Sequence, residues 1–264
     1  MKISLKSLLL VGLIPVLLPA ADWPTDPVAK GQAIAEAADK RDEGWGDWSA
    51  LARMELINAQ GQTSSREMRF QALEQAEDGD KRLIVFDEPR DVKGTAFLAF
   101  TKAVGNDDQW LYLPALKRVK RISSSNKSGP FVGSEFAYED LSSQEVAKYT
   151  YHYLRDEEVD GMISYVIERV PVDKNSGYAK QVAWIDQAEY RSLRTDYYDR
   201  KGTLLKTFTA HDYVSYGEGF WRAARFVMTN HQTKKSTNLI WRDYVFTAGL
   251  SDRQFSQSAL KNSR

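Results

Sequence analysis

Residues 66–74 read REMRFQALE. Met68, Phe70 and Ala72 fall on one side of an extended chain and Glu67, Arg69 and Gln71 on the other, the period-two alternation of a strand buried on one face. The alternation recurs in both directions along the chain. Gln60-Gly61, Asp78-Gly79, Gly105-Asn106, Asp160-Gly161, Lys201-Gly202 and Gly217-Glu218 punctuate it, and such pairs accept the positive φ that tight turns require. The pattern predicts strands near 49–59, 64–75, 81–87, 94–103, 109–113, 117–122, 147–158, 162–171, 178–186, 190–199, 203–215, 219–230 and 235–247. So many strands joined by short turns form an antiparallel meander.

Upstream of the strands, Thr25-Asp26-Pro27 has the form of a helix start, a capping residue followed by proline at the first helical position. Val28, Ala33, Ile34, Ala37 and Ala38 extend it as an apolar stripe, and Gly44 closes it. Helical turns are expected near Ser142–Val146 and again after Asp252, with Phe255 and Leu260 as apolar contacts. The longest non-periodic stretch is SSSNKSGPFVGSEF, residues 123–136, and a loop of that length points to a function.

The first residues have the form of a secretory signal peptide: Lys2 and Lys6, an apolar run from Leu8 to Leu18, then small residues at Pro19-Ala20-Ala21. The expectation is cleavage near Ala20 or Ala21 and an exported, periplasmic protein of one domain over 22–264. The apolar run is about half of the ~20 residues a membrane span needs. With no cysteine, disulfides add nothing and the core must supply the stability. A chain of this size buries roughly 70–75% of its unfolded surface.

The composition argues against several classes of function. Lys and Arg number 36 against 36 Asp and Glu, a balance unsuited to bulk nucleic-acid binding. The three histidines, His152, His211 and His231, fall on strands or their ends without metal-ligand spacing, and no Cys-based zinc pattern exists. No Gly-x-Ser-x-Gly elbow or phosphate-cradling glycine loop occurs. Paired carboxylates such as Glu157-Glu158 and Asp107-Asp108 sit beside turn glycines, where solvated loop charge accounts for them. Neither a catalytic residue nor a cofactor or metal site is assigned.

Both faces of several strands are apolar, and the chain has 7 Trp, 13 Tyr and 11 Phe. One buried face suffices for an antiparallel sheet, so the surplus fits either a curved sheet wrapped around something apolar or an ordinary core under a helix. Residues 107–122, DDQWLYLPALKRVKRI, place Trp110 and Tyr112 on one strand face, break at Pro114, and continue into Lys117, Arg118, Lys120 and Arg121.

With its continuation to Leu141, this stretch resembles the signature segment of the LolA-like outer-membrane lipoprotein-sorting protein family, in the branch paired with RND-type lipid exporters. Asp108, Trp110, Tyr112, Pro114, Arg118, Arg121, Phe131, Gly133, Ser134, Phe136, Tyr138, Glu139 and Asp140 carry the resemblance over about 35 residues, with Glu135 where relatives are expected to have aspartate. The resemblance implies a mainly β fold, an incomplete antiparallel β-barrel with a few helices as a lid over an apolar cavity for acyl chains.

Alternation then selects Met54, Leu56, Met68, Phe70, Ile163, Tyr165, Ile167, Trp184, Phe208, Phe226, Met228 and Trp241 as candidate lining, a set that ordinary core packing would equally produce. Trp110, Tyr112, Arg118 and Arg121 are candidates for contact with a lipid headgroup at the cavity mouth or with an acidic partner, the alternative being a strand edge blunted by charge. The function expected is a soluble periplasmic carrier that moves lipid or lipoprotein acyl chains between an inner-membrane exporter and the outer membrane. A lipid-sensing module that regulates a partner and a hydrolase of envelope polymers are the competing readings.

Overall fold

A computed structural model describes residues 23–76, 79–217 and 219–262. The signal-peptide expectation falls on residues outside that set. Helix α1 runs Pro27–Arg41, its first turn closed by the Asp26 side chain accepting from Ala29 N at 2.8 Å. Thirteen strands follow: β1 (Asp47–Ile57), β2 (Thr63–Leu73), β3 (Lys81–Glu88), β4 (Ala96–Phe100), β5 (Asp108–Leu113), β6 (Arg118–Ile122), β7 (Tyr149–Val159), β8 (Met162–Pro171), β9 (Tyr178–Asp186), β10 (Ser192–Asp199), β11 (Leu204–Tyr216), β12 (Phe220–Asn230) and β13 (Ser236–Phe246). A short helix, α2 (Gln257–Asn262), ends the described chain.

The strands form one antiparallel sheet in the order β6-β5-β4-β3-β2-β1-β13-β12-β11-β10-β9-β8-β7. Every neighbour but one is a sequential hairpin, and the exception joins β1 to β13. The sheet does not close: β6 and β7 are its two edges, and residues 123–148 connect them. Trp48, Ala50, Ala52 and Met54 of β1, Met68, Phe70 and Ala72 of β2, and Ile84 and Phe86 of β3 share the concave face and form its main cluster. Leu83, Val85, Leu98 and Tyr112 point the other way, into a separate cluster with Phe255 and Leu260. The two helices therefore serve opposite faces. α1 lies inside, with Ile34 and Ala35 on Tyr151, Ile167, Ala183 and Ile185, while α2 covers the outer face.

α1 approaches β7 so closely that a Cβ on Gly31 would lie 2.7 Å from Tyr153 N and 2.9 Å from His152 N. Only glycine allows this seating of the helix on the strand backbone. At its other end α1 is tied to the barrel by Arg41–Glu189 (2.7 Å) and Asp42–Arg222 (2.6 Å).

Candidate functional site

A half-open barrel with a polar backbone needs its concave face covered, and two segments do this. Residues 123–148 cross the interior as a plug. Phe131 is wholly buried against Phe86, Phe97 and Tyr138, with ring centroids 5.3–5.7 Å away. Val132 holds φ 46°, a conformation unusual for a β-branched residue, and its carbonyl accepts from Arg66 Nη1.

Charge pins the plug to the far wall. Lys206 Nζ of β11 lies 2.6 Å from Asp140 Oδ2 and donates to Glu135 O at 3.0 Å, and the side chains of the ion pair are only 5% and 4% exposed. Asp140 also accepts from Tyr178 Oη (2.7 Å) and Ala137 N (2.6 Å). Burial beside Asp140 and Glu139 holds the Tyr178 phenol well above its usual range, so it stays a donor. Glu139 accepts from Ser176 Oγ and Gly177 N, Glu135 from Asn230 Nδ2, and Lys127 pairs with Asp173 at 2.5 Å. The non-periodic loop is thus a structural element, fixed by buried charged hydrogen bonds.

Between the plug, α1 and the β8–β13 wall remains a cavity of about 630 Å³. One side is aromatic and aliphatic: Trp48, Phe70, Phe208, Phe226, Met228, Leu239, Trp241 and Tyr244, with Phe226 and Phe70 ring centroids 5.5 and 4.4 Å from Trp241. The other side is Tyr151, Ile167, Ala183, Ile185 and Tyr197, roofed by Ala35 and Ala38 of α1, and the plug contributes Phe136 and Leu141. Asp39, Arg41, Asp42, Glu43, Glu189, Arg191 and Arg222 also line it, giving the cavity a charged rim. A second cavity of about 330 Å³ lies between the sheet edges, lined by Ile122, Lys127, Glu139, Lys148 and Tyr149 among others.

Of the residues selected by alternation, Phe70, Ile167, Phe208, Phe226, Met228 and Trp241 line the main cavity. Met54, Met68 and Leu56 share the concave face but belong to the packed cluster around the plug. Tyr165 packs beneath the start of α1, its hydroxyl accepting from Trp23 Nε1 at 2.9 Å. Ile163 is 50% exposed. Trp184 faces outward, with Val166 and Val182, under the Arg194 guanidinium at 4.6 Å. None of these six lines the cavity.

The four contact candidates lie away from it as well. Tyr112 and Trp110 belong to the outer-face cluster beneath α2, Trp110 packing edge-on to Phe100 at 5.2 Å. Arg118 is exposed on the edge strand β6, and Arg121, opposite Trp110 in register, pairs with Asp108. None of the four lines the cavity, so the geometry gives no basis for a headgroup contact by these residues there.

Sequence reasoning passed over Trp48, Tyr151, Ile185, Tyr197 and Tyr244, and two arginines, the half-buried Arg82 and the buried Arg169, that also line the cavity. The signal was present for Arg82: in Arg82-Leu83-Ile84-Val85-Phe86 an arginine takes the concave-face position of a buried strand. Among the described residues no group of His, Cys, Asp and Glu could hold a metal ion, and no helix is long and apolar enough to cross a membrane.

The open antiparallel barrel is shared with solved structures. A LolA superfamily protein from Nitrosomonas europaea superposes with a TM-score of 0.68 at 22% identity, over 87% of this chain and 98% of its own. A domain from Vibrio parahaemolyticus, assigned as an outer membrane lipoprotein-sorting protein, is 56% identical with a TM-score of 0.87, over 89% of this chain and 99% of its own. A DUF1329 family protein from Desulfovibrio piger is 33% identical with a TM-score of 0.84, over 89% of this chain and all of its own. A family profile described as "-like: Uncharacterized protein" spans residues 78–262, and no curated protein matches the chain. The chain belongs to the LolA-like family of outer membrane lipoprotein-sorting proteins.

Proposed function

We infer that this protein is a periplasmic carrier that encloses acyl chains of a lipid or lipoprotein in the 630 Å³ cavity and passes them from an inner-membrane exporter of the RND type to the outer membrane. A 16-carbon chain crossing water exposes about 0.8 kcal/mol per methylene, on the order of 12 kcal/mol in all. Enclosure between Trp48, Phe226, Trp241 and Ile167 removes most of that cost without chemistry, so the carrier needs no catalytic group. A cavity of this volume, with an aromatic and aliphatic wall beside its charged groups, falls within the size range of small-ligand sites. The observation that carries this reading is the hollow itself, left open beneath α1 although the plug fills the rest of the barrel. The LolA-like fold supports a lipid-binding carrier role in general, and the Vibrio relative's assignment to lipoprotein sorting supports this cargo class.

The test is transfer of a fluorescent phospholipid between donor and acceptor vesicles held apart by a membrane. The protein is expected to accelerate transfer in proportion to its concentration. Ala38→Trp, which directs an indole from α1 into the cavity, is expected to abolish the acceleration while the thermal midpoint stays within a few degrees. Transfer unaffected by a blocked cavity would overturn the reading.

A further inference from the structure

The formal charges of the chain cancel, 36 against 36, yet the fold separates them. In an antiparallel meander successive connections alternate between the two ends of the strands, and here the alternation sorts them by sign. The connections β1–β2 (58–62), β3–β4 (89–95), β5–β6 (114–117), β10–β11 (200–203) and β12–β13 (231–235) share one end. They hold seven Lys and Arg against a single acid, Asp91, which lies within electrostatic reach of Arg66. With the flanking strand ends, which add Arg118, Glu88 and Asp199, the count is eight against three. The C-terminus of α1 is tied to the opposite end through Glu189 and Arg222, and that end bears Asp39, Asp42, Glu43, Glu74 and Asp80 of the cavity rim.

Strand order makes these connections neighbours along one rim. A Cβ on Gly94 would lie 3.4 Å from Pro114 Cγ, so Arg90 and Lys93 stand beside Lys117 and Arg118. On the other flank Gln232 Nε2 donates to Asp199 Oδ2 at 2.9 Å and His231 N to Leu205 O at 2.8 Å, which joins Lys234 and Lys235 to Arg200 and Lys201. All eight cations are exposed, and among the described residues none of them forms an ion pair. Leu116, 67% exposed, stands at the tip of the β5–β6 connection next to Lys117. Val104 is more exposed still, but it lies in the β4–β5 connection at the other end.

We propose that the basic end of the barrel is a docking face for an anionic lipid bilayer. Lysine is depleted from protein–protein interfaces, which are built around an apolar core; this rim is lysine-rich and its central connection, Asn58-Ala59-Gln60-Gly61-Gln62, is uncharged and polar. Separate point charges on adjacent turns suit a fluid negative surface, which needs no shaped counterpart, and Leu116 can enter the headgroup layer between them. With no net charge on the chain, attraction depends on this end being turned toward the lipid, and the cavity's charged rim is then turned away. The proposal goes beyond the reading of the cavity and does not depend on it.

The test is cosedimentation of the purified protein with vesicles of phosphatidylcholine alone and of phosphatidylcholine mixed with phosphatidylglycerol. The protein is expected to sediment with the mixed vesicles only, and to be released as added salt screens the charges. Each cation at such a surface contributes about fivefold in affinity, so Lys117→Asn/Arg118→Gln and Lys234→Asn/Lys235→Gln are each expected to weaken binding about tenfold or more. Asparagine is placed at 117 and 234 because these positions hold φ 47° and 59°, which it tolerates. Arg253→Gln/Lys261→Gln removes the same charge beside α2 and is expected to bind as the wild type does. No preference for the mixed vesicles, rim variants that bind undiminished, or an equal loss in the variant beside α2 overturns the docking face. So does salt-sensitive self-association, in place of vesicle binding, that the rim variants abolish, since the basic end then seats the acidic end of a second copy.

Discussion

Removal of the Lys206 ammonium tests whether buried charge holds the plug in the barrel. Lys206 and Asp140 lie 2.6 Å apart with side chains 5% and 4% exposed. Lys206→Met keeps the length and apolar volume of the stem but leaves Asp140 with Tyr178 Oη and Ala137 N as its only described donors, and takes the described donor from Glu135 O. Stranding one member of a buried pair costs about 3–5 kcal/mol. In a domain of this size each kcal/mol lowers Tm by roughly 2–4 °C, so the midpoint is expected to fall by about 6–20 °C. Urea unfolding followed by tryptophan fluorescence gives the same quantity independently. Asp140→Asn should cost a similar amount, and the double variant Lys206→Met/Asp140→Asn less than the sum of the two, because the second change removes the stranded charge. A loss below about 1 kcal/mol, the range of exposed pairs, would refute the view that this ion pair fixes the plug.

Gly31→Ala sets a methyl 2.7 Å from Tyr153 N and is expected to cost about 1–3 kcal/mol, with faster hydrogen exchange concentrated in α1. Leu260→Ala empties a fully buried position of the outer-face cluster; it should cost about 2–5 kcal/mol and leave ligand affinity unchanged, since α2 lies on the face away from the cavity. Burial first raises the Asp39, Asp80 and Glu145 carboxyls above their ordinary values; the like charges of Glu43, Asp80 and Asp42 add to it at Asp39, and those of Asp80, Asp39 and Asp107 at Glu145 against the opposing Lys148, while at Asp80 burial outweighs the hydrogen bonds from Ser143 and Gln75 and the nearby Arg82. The unfolded chain then releases these protons at lower pH than the folded one, so their contribution falls as pH rises from the ordinary carboxylate range toward the raised values. Asp39→Asn is accordingly expected to exceed the wild type in stability at neutral pH, with the gap closing on acidification in paired urea titrations.

The strand pattern was legible because each hairpin supplies its own local evidence. All thirteen strands begin and end within a few residues of the positions that alternation and turn glycines indicate, and the Asp26-Pro27 cap starts α1 where expected. The site was legible only in part. In β8, Ile163, Tyr165 and Ile167 share one parity, yet Ile163 is exposed and Tyr165 lies under α1, leaving Ile167 alone at the cavity. Trp184 was misassigned because β9 is apolar on both faces, the outer one making its own cluster with Val166 and Val182. Met54 and Met68 face inward as alternation requires, but long-range packing of the plug covers that part of the wall, and no local period encodes where a 26-residue connection comes to rest. Trp110 and Tyr112 share a face as expected, and that face is turned outward by the register of β5 on β4, beneath a helix some 140 residues further along the chain.

Native mass spectrometry of the protein purified from its own cell envelope puts the hollow beneath α1 to the most direct test. The expected spectrum shows the polypeptide carrying one or two species of added mass that organic extraction releases as acyl-containing molecules, with Ala38→Trp prepared in parallel carrying none. A wild-type protein recovered at its bare mass that also takes up no acyl lipid when offered it, or an Ala38→Trp protein loaded as fully as the wild type, would contradict the claim that this cavity shelters hydrocarbon.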